Sequence, residues 1–143
     1  MTETIAIAAD HGGFEMKSLL VKDLEAAGYK VLDLGTNSAD SVDYPDFAHA
    51  LAVALKEGRA ARGVLLCGSG IGISIAANRH RHIRAALVHD ETGARLCRQH
   101  NDANVVVFGA RLIGIEVARS ALKVFLTTSF EGGRHEKRVA KLG

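Results

Sequence analysis

The sequence predicts an α/β protein, a three-layer α/β/α sandwich around a five-stranded parallel sheet, Rossmann-like in its winding. Three observations lead there. Short apolar runs alternate with longer segments of helical periodicity along the whole chain. The runs are continuous rather than strictly alternating, as in strands buried on both faces. Turn residues, glycine above all, stand where one period gives way to the next.

The first strand is read at residues 4–9, TIAIAA, and stops at Asp10, His11, Gly12 and Gly13. Residues 14–27 then place Phe14, Leu20, Leu24 and Ala27 at near-helical spacing, and Gly28 ends the helix. Residues 30–34, KVLDL, form a second strand that closes at Gly35. A polar loop leads to Pro45, whose fixed φ suits the first position of a helix reaching about Lys56. The third strand is 63–66, GVLL, followed by a helix over 70–78. The fourth strand is 83–88, IRAALV, with a helix over 91–100; the fifth is 104–108, NVVVF. Helices over about 114–127 and 133–141 complete the chain. There are no repeats, low-complexity segments or linkers, and 143 residues suit one domain.

Composition narrows the function. A net charge of +2, few aromatics and no tryptophan argue against nucleic acid as a partner. No apolar stretch approaches the ~20 residues of a membrane span. The segment MTETIAIAADHGG has no basic n-region and only a short apolar run, so a cytoplasmic protein is expected. Cys67 and Cys97 form no CxxC pair, which argues against a disulfide framework and a structural zinc site.

In open α/β sheets ligands bind beyond the carboxyl ends of the strands. Asp10 and His11 follow the first strand. Cys67, Gly68, Ser69, Gly70, Ile71 and Gly72 follow the third, His89 and Asp90 the fourth, Gly109 and Arg111 the fifth. The stretch LLCGSGIGISIAAN is the most informative. Backbone N–H groups of a glycine-rich turn at a helix start hold negative charge, and such a field favours an anionic sulfur. Cys67 is thus placed to act as base or nucleophile beside an oxyanion site. The plainer alternative is a small buried cysteine with glycines for tight packing. A dinucleotide fingerprint would need glycine at Ile73 or Ile75, and no Gly-Lys-Ser/Thr of a phosphate-binding P-loop occurs.

In EGGRHEKRV, residues 131–139, Arg134 and Arg138 stand four apart on one helix face, as a phosphate clamp or as a solvated basic helix. His100 and Asn101, in RQHND, offer a proton-transfer group, or else a surface or capping histidine. NRHRHIR, residues 78–84, reads as a solvated basic turn at the opposite sheet edge.

Together AADHGGF, DYPDFA, CGSGIGISIAAN, RQHNDANVVVFGAR and EGGRHEKRV resemble ribose-5-phosphate isomerase type B over essentially the whole chain. The resemblance implies interconversion of D-ribose 5-phosphate and D-ribulose 5-phosphate with no metal or organic cofactor, by homodimers or larger assemblies. It implies Cys67 as the base moving a proton between C1 and C2, with Gly68, Ser69, Gly70, Ile71 and Gly72 holding the enediolate. His100 would donate a proton in ring opening. Asp10, His11, Asn101, Arg111, Arg134 and Arg138 would bind substrate, the arginines through phosphate, and Tyr44 would line the sugar pocket. Asp10 and Ser69 are counted with the catalytic set. One branch of the family carries its base as glutamate just after the last loop glycine. That position here is Ile73, so the burden falls on Cys67. Ser69 stands where many cysteine-type members have threonine and keeps the hydroxyl for proton shuttling.

His100 precedes the fifth strand and Cys67 ends the third, so the two should sit at opposite sheet edges, ~17–20 Å apart for a strand of five or six residues. His100 and Asn101 are therefore expected to enter the site from a partner subunit. Competing readings are an isomerase of another sugar phosphate, such as D-allose 6-phosphate, and a non-catalytic sugar-phosphate binding module. Galactose-6-phosphate isomerase splits its features between unlike subunits, whereas this chain carries the whole set.

Overall fold

A computed structural model of the protein describes residues 2–143. Five parallel strands, β1 (Thr4–Ala9), β2 (Lys30–Asp33), β3 (Arg62–Cys67), β4 (Ala85–Leu87) and β5 (Val105–Gly109), form one sheet in the order β2-β1-β3-β5-β4. The helices between and after them are α1 (Phe14–Ala26), α2 (Tyr44–Lys56), α3 (Ile71–Ala77), α4 (Glu91–Gln99), α5 (Ile115–Thr127) and α6 (His135–Ala140). A 3-10 turn, His11–Gly13, that the sequence reading left in a loop joins β1 to α1.

Side chains of a strand alternate between the two faces of a sheet, and the core divides accordingly. Ile5, Ile7, Val64, Leu66, Val106 and Phe108 meet Leu20 of α1, Ala94 of α4 and Phe125 of α5 on one face. Ala6, Ala8, Leu65, Cys67, Val105 and Val107 meet Leu51 of α2 and Ile73 of α3 on the other. Helices therefore cover both faces, which gives the expected three-layer sandwich.

Differences from the sequence reading have local causes. The expectation of strands buried on both faces holds for β1, β3 and β5, but the edge strands β2 and β4 are only partly buried. β4 is three residues long, not six. An edge strand has one ladder neighbour, and here the Asn78 side chain takes up the free backbone of Ala85. It accepts from the Ala85 N–H at 2.8 Å and donates to its carbonyl at 2.9 Å. In α1 the buried stripe is Met16, Leu20 and Leu24, while Phe14 is half-buried and Ala27 exposed. Gly28, at φ +95°, does stop that helix. α6 begins at His135 rather than at 133, because Gly132 and Gly133 take positive φ values that a right-handed helix cannot contain.

The order β2-β1-β3 places a topological switch point between β1 and β3. Their carboxyl ends, Ala9 and Leu66, are paired in register, so Asp10 and Cys67 emerge side by side at the crevice where such sheets bind ligands.

Candidate active site

At the end of β3 the chain turns sharply through Gly68, Ser69 and Gly70. Gly70 has φ +77°, and a Cβ there would stand 2.5 Å from Leu87 Cδ1 and 3.0 Å from the Phe108 carbonyl carbon. Only glycine fits. The turn aims the Gly70 N–H at Cys67 Sγ, which accepts it at 3.2 Å. Ser69 Oγ accepts the Ile71 N–H at 3.1 Å, at the first turn of α3.

Other elements close around this turn. Asp10 is buried and its Oδ1 accepts the N–H groups of Gly12 at 2.9 Å and Gly13 at 3.3 Å. Gly12 lies so close that a Cβ on it would be 3.1 Å from the Gly68 nitrogen. His11 Nδ1 accepts the Val42 N–H at 3.1 Å, so a neutral His11 ring carries its proton on Nε2. The Arg111 N–H donates to the Gly68 carbonyl at 2.9 Å, and its side chain lies over Gly68. The Tyr44 ring covers Gly72, where a Cβ would be 2.6 Å from Cε1. Asp10, Tyr44, Arg111 and the Cys67 loop thus form one group at the carboxyl edge of the sheet, with His11 on the adjoining turn.

The thiol itself is 5 % exposed and belongs to the apolar layer under α2 and α3, as a packing cysteine would. Clefts of about 410 to 690 Å³ open elsewhere among the described residues, and Cys67 does not line them. Cys67 differs from the second cysteine in its surroundings. Cys97 lies in α4 and donates to the Ala94 carbonyl at 3.1 Å, and burial pushes its pKa up to about 11.

His100, Asn101, Arg134 and Arg138 lie in a different place. His100 caps the carboxyl end of α4, which runs back to the amino edge of the sheet before β5 begins. Its ring stacks on His135, centroids 4.4 Å apart. The Glu131 carboxylate stands 3.9 Å from His100 Nε2 and 3.5 Å from His135 Nε2. Burial, the nearby His100 and Arg134 hold the His135 pKa below the usual imidazole value. Asn101 lines a cleft of about 430 Å³ with Asn78, Arg81 and Leu142. Arg134 and Arg138 are exposed at the start of α6 and on it.

The basic turn at 78–84 lies near that edge and is more organised than a solvated turn. His49 Nδ1 and His80 Nε2 are 2.7 Å apart, and His82 Nε2 is 2.7 Å from the Ala52 carbonyl. Asp90, three residues beyond β4, caps α4 by accepting the Gly93 N–H at 2.8 Å. Sequence reasoning passed over Glu131 and His135, although both lie within the quoted EGGRHEKRV. Nothing in their spacing announces contact with His100.

The residues flanking the sheet thus make two constellations, one holding a thiol and an amide-rich loop, the other two stacked imidazoles, a carboxylate and two guanidinium groups. The comparisons with known proteins bear on both. The sequence profile of the Ribose/Galactose Isomerase family matches residues 5–142, and the chain belongs to that family. It is 44% identical over 135 residues to ribose-5-phosphate isomerase B of Escherichia coli, covering 94% of this chain and 91% of that one. It is 40% identical over 141 residues to D-erythrulose-4-phosphate isomerase of Pectobacterium atrosepticum, covering 98% and 93%. The crystal structure of a ribose 5-phosphate isomerase from Thermotoga maritima superimposes with a TM-score of 0.97 at 48% identity, covering 99% of this chain and 98% of that one.

Proposed function

We propose that this protein is a sugar-phosphate isomerase that interconverts D-ribose 5-phosphate and D-ribulose 5-phosphate, with Cys67 as the base. The observation that carries the reading is the Gly70 N–H directed at Cys67 Sγ within a loop bordered by Asp10, Tyr44 and Arg111. His100 protonates the ring oxygen as the furanose opens, while the anomeric hydroxyl gives its proton to solvent and becomes the C1 aldehyde. The Cys67 thiolate then removes the C2 proton. The electron pair forms the C1–C2 double bond and leaves the negative charge on O1, where the N–H groups of the Gly68–Gly72 loop stabilise it. A proton passes from O2 to O1 by way of Ser69. Return of the sulfur-held proton to C1 leaves the ketone at C2. Asp10 and His11 orient the sugar hydroxyls, Tyr44 walls the pocket, and the arginines and Asn101 hold the distal end with its phosphate. Anchoring far from the reacting carbons contributes by orientation.

Cys67→Ala should lower kcat for ribose 5-phosphate about 10²–10⁴-fold, the usual contribution of a positioned base. Unchanged turnover would remove Cys67 from the mechanism, and binding without turnover in the wild type would leave a binding module. The relative acting on erythrulose 4-phosphate favours one further reading, a different sugar phosphate of four to six carbons. A panel of such substrates compared by kcat/KM decides between them.

The active unit is a homodimer or a larger assembly in which His100, Asn101, Arg134 and Arg138 of one copy complete the Cys67 site of another. Two features support this. The two constellations occupy opposite sheet edges of one chain. Exposed apolar side chains, the Tyr44 ring and Val53 on α2 and Ile71 and Ile75 on α3, lie on the two helices that cover the Cys67 face of the sheet, as a face covered by a second copy would require. Mixing Cys67→Ala and His100→Ala chains tests it. A mixed dimer would carry one intact site, so random assembly should restore about a quarter of wild-type activity. A site built within one chain would give no recovery. Both thiols are free, and we place the protein in the reducing cytoplasm.

A further inference from the structure

We infer that His100, Glu131 and His135 form a binding site for a divalent cation of the zinc type, and that its occupancy switches the isomerase off by tying up His100. The inhibitory half rests on the role given to His100 above; the binding half does not. The cation is an inhibitor, and turnover proceeds without it.

The three donor side chains converge on one place. The three ligand atoms all lie within 4.8 Å of one another. Zinc bonds of about 2.0–2.1 Å set tetrahedral ligand atoms about 3.3–3.4 Å apart. Glu131 Oε1 is already 3.5 Å from His135 Nε2 and 3.9 Å from His100 Nε2. Glu131 is exposed and His100 half-exposed, so both side chains are free to make the remaining movement. The frame beneath them is held at His135, which is buried. The His100 ring stacks on it at an interplanar angle of 14°, so the in-plane lone pairs of the two rings run nearly parallel, and the half-exposed His100 turns out of the stack for both Nε2 atoms to face one cation. The Glu131 N–H donates to the Gln99 carbonyl at 3.1 Å, which ties the carboxylate to the end of α4. The left-handed pair Gly132 and Gly133 folds the chain back between Glu131 and His135.

Two imidazoles and one carboxylate are a donor set suited to zinc, with a fourth position left for water. Nitrogen ligands disfavour calcium and magnesium, which take oxygen. The nearby Arg134 and Arg138 guanidinium groups oppose a cation, so affinity should be modest and occupancy should follow the free metal concentration.

The test uses the full-length protein in metal-free buffer with Co²⁺ as spectroscopic probe and Zn²⁺ as competitor. One Co²⁺ per chain with tetrahedral visible absorption is expected, weakened about tenfold or more in Glu131→Ala. That variant changes an exposed side chain, and its circular dichroism should match the wild type. Zn²⁺ should slow ribose 5-phosphate turnover in the wild type, reversibly by EDTA, and leave Glu131→Ala turning over. The rival ligand is the Cys67 thiol, so Cys67→Ser should keep the Co²⁺ spectrum. Binding that survives Glu131→Ala, or that disappears only in Cys67→Ser, overturns the site. Binding without effect on turnover overturns the inhibition. A protein that binds Co²⁺ but isomerises nothing refutes the proposed function and leaves the metal site standing.

Discussion

Gly70→Ala separates backbone strain, packing and catalysis at one position. The residue has φ +77°, where a non-glycine costs about 1–2 kcal/mol. The new methyl would sit 2.5 Å from Leu87 Cδ1 and 3.0 Å from backbone at Phe108. Leu87 can rotate, but the strand backbone cannot, so overpacking adds about 1–3 kcal/mol. The total is about 2–5 kcal/mol. Gly28→Ala is the matched control, with φ +95° and open space around the Cβ position. It should cost only the backbone part, about 1–2 kcal/mol. Urea unfolding measures both, and the difference isolates the clash. Turnover gives a second reading. Displacing the turn draws the Gly70 N–H away from Cys67 Sγ and from the developing oxyanion, and loss of such a donor costs about 10²–10³ in rate. Gly28→Ala should leave turnover unchanged. A Gly70→Ala protein no less stable than Gly28→Ala and as active as the wild type would refute the packing argument and the role given to the loop.

Other outcomes follow from the same contacts. Lys17 is 2 % exposed and its ammonium contacts Asp33 at 2.7 Å, so Asp33→Asn strands a buried charge. A fully buried pair broken in this way loses 3–5 kcal/mol; Asp33 is 36 % exposed, which reduces the expected loss to about 2–4 kcal/mol. Lys17→Met, which removes the buried charge itself, should be milder in the same unfolding assay. The Cys97 thiol rises from 9.0 to about 11 on folding, so between those pH values the unfolded chain releases a proton that the folded one keeps. Stability should therefore fall as pH rises from about 9 to about 11 and be unaffected by this group below that range. Denaturation across alkaline pH should show a shallower decline in Cys97→Ala. Asp90→Ala removes the cap on α4 and should cost about 1 kcal/mol, measurable as a lower urea midpoint.

Much of this protein was legible in the linear chain because its signals are local. Apolar runs and helical spacing are properties of neighbouring residues, so the order of five strands and the intervening helices could be read before any contact was known. Topology then supplied the separation of His100 from Cys67, since one precedes a parallel strand and the other ends one. What the local signals could not supply was apposition. Ile83 and Val88 look like part of β4, but only Ala85, Ala86 and Leu87 find register partners on β5. Phe14 and Ala27 suit the spacing of α1, yet the sheet surface selects Met16 instead. Glu131 and His135 are four apart in a basic tail, and only the fold that sets the turn before α6 beside the carboxyl end of α4 brings both to His100. The sequence by itself determined which elements form and which chemistry follows each strand, because period, turns and caps act within a few residues. Tertiary structure alone decided which side chains meet, because close packing joins residues far apart in the chain and leaves no mark on either segment by itself.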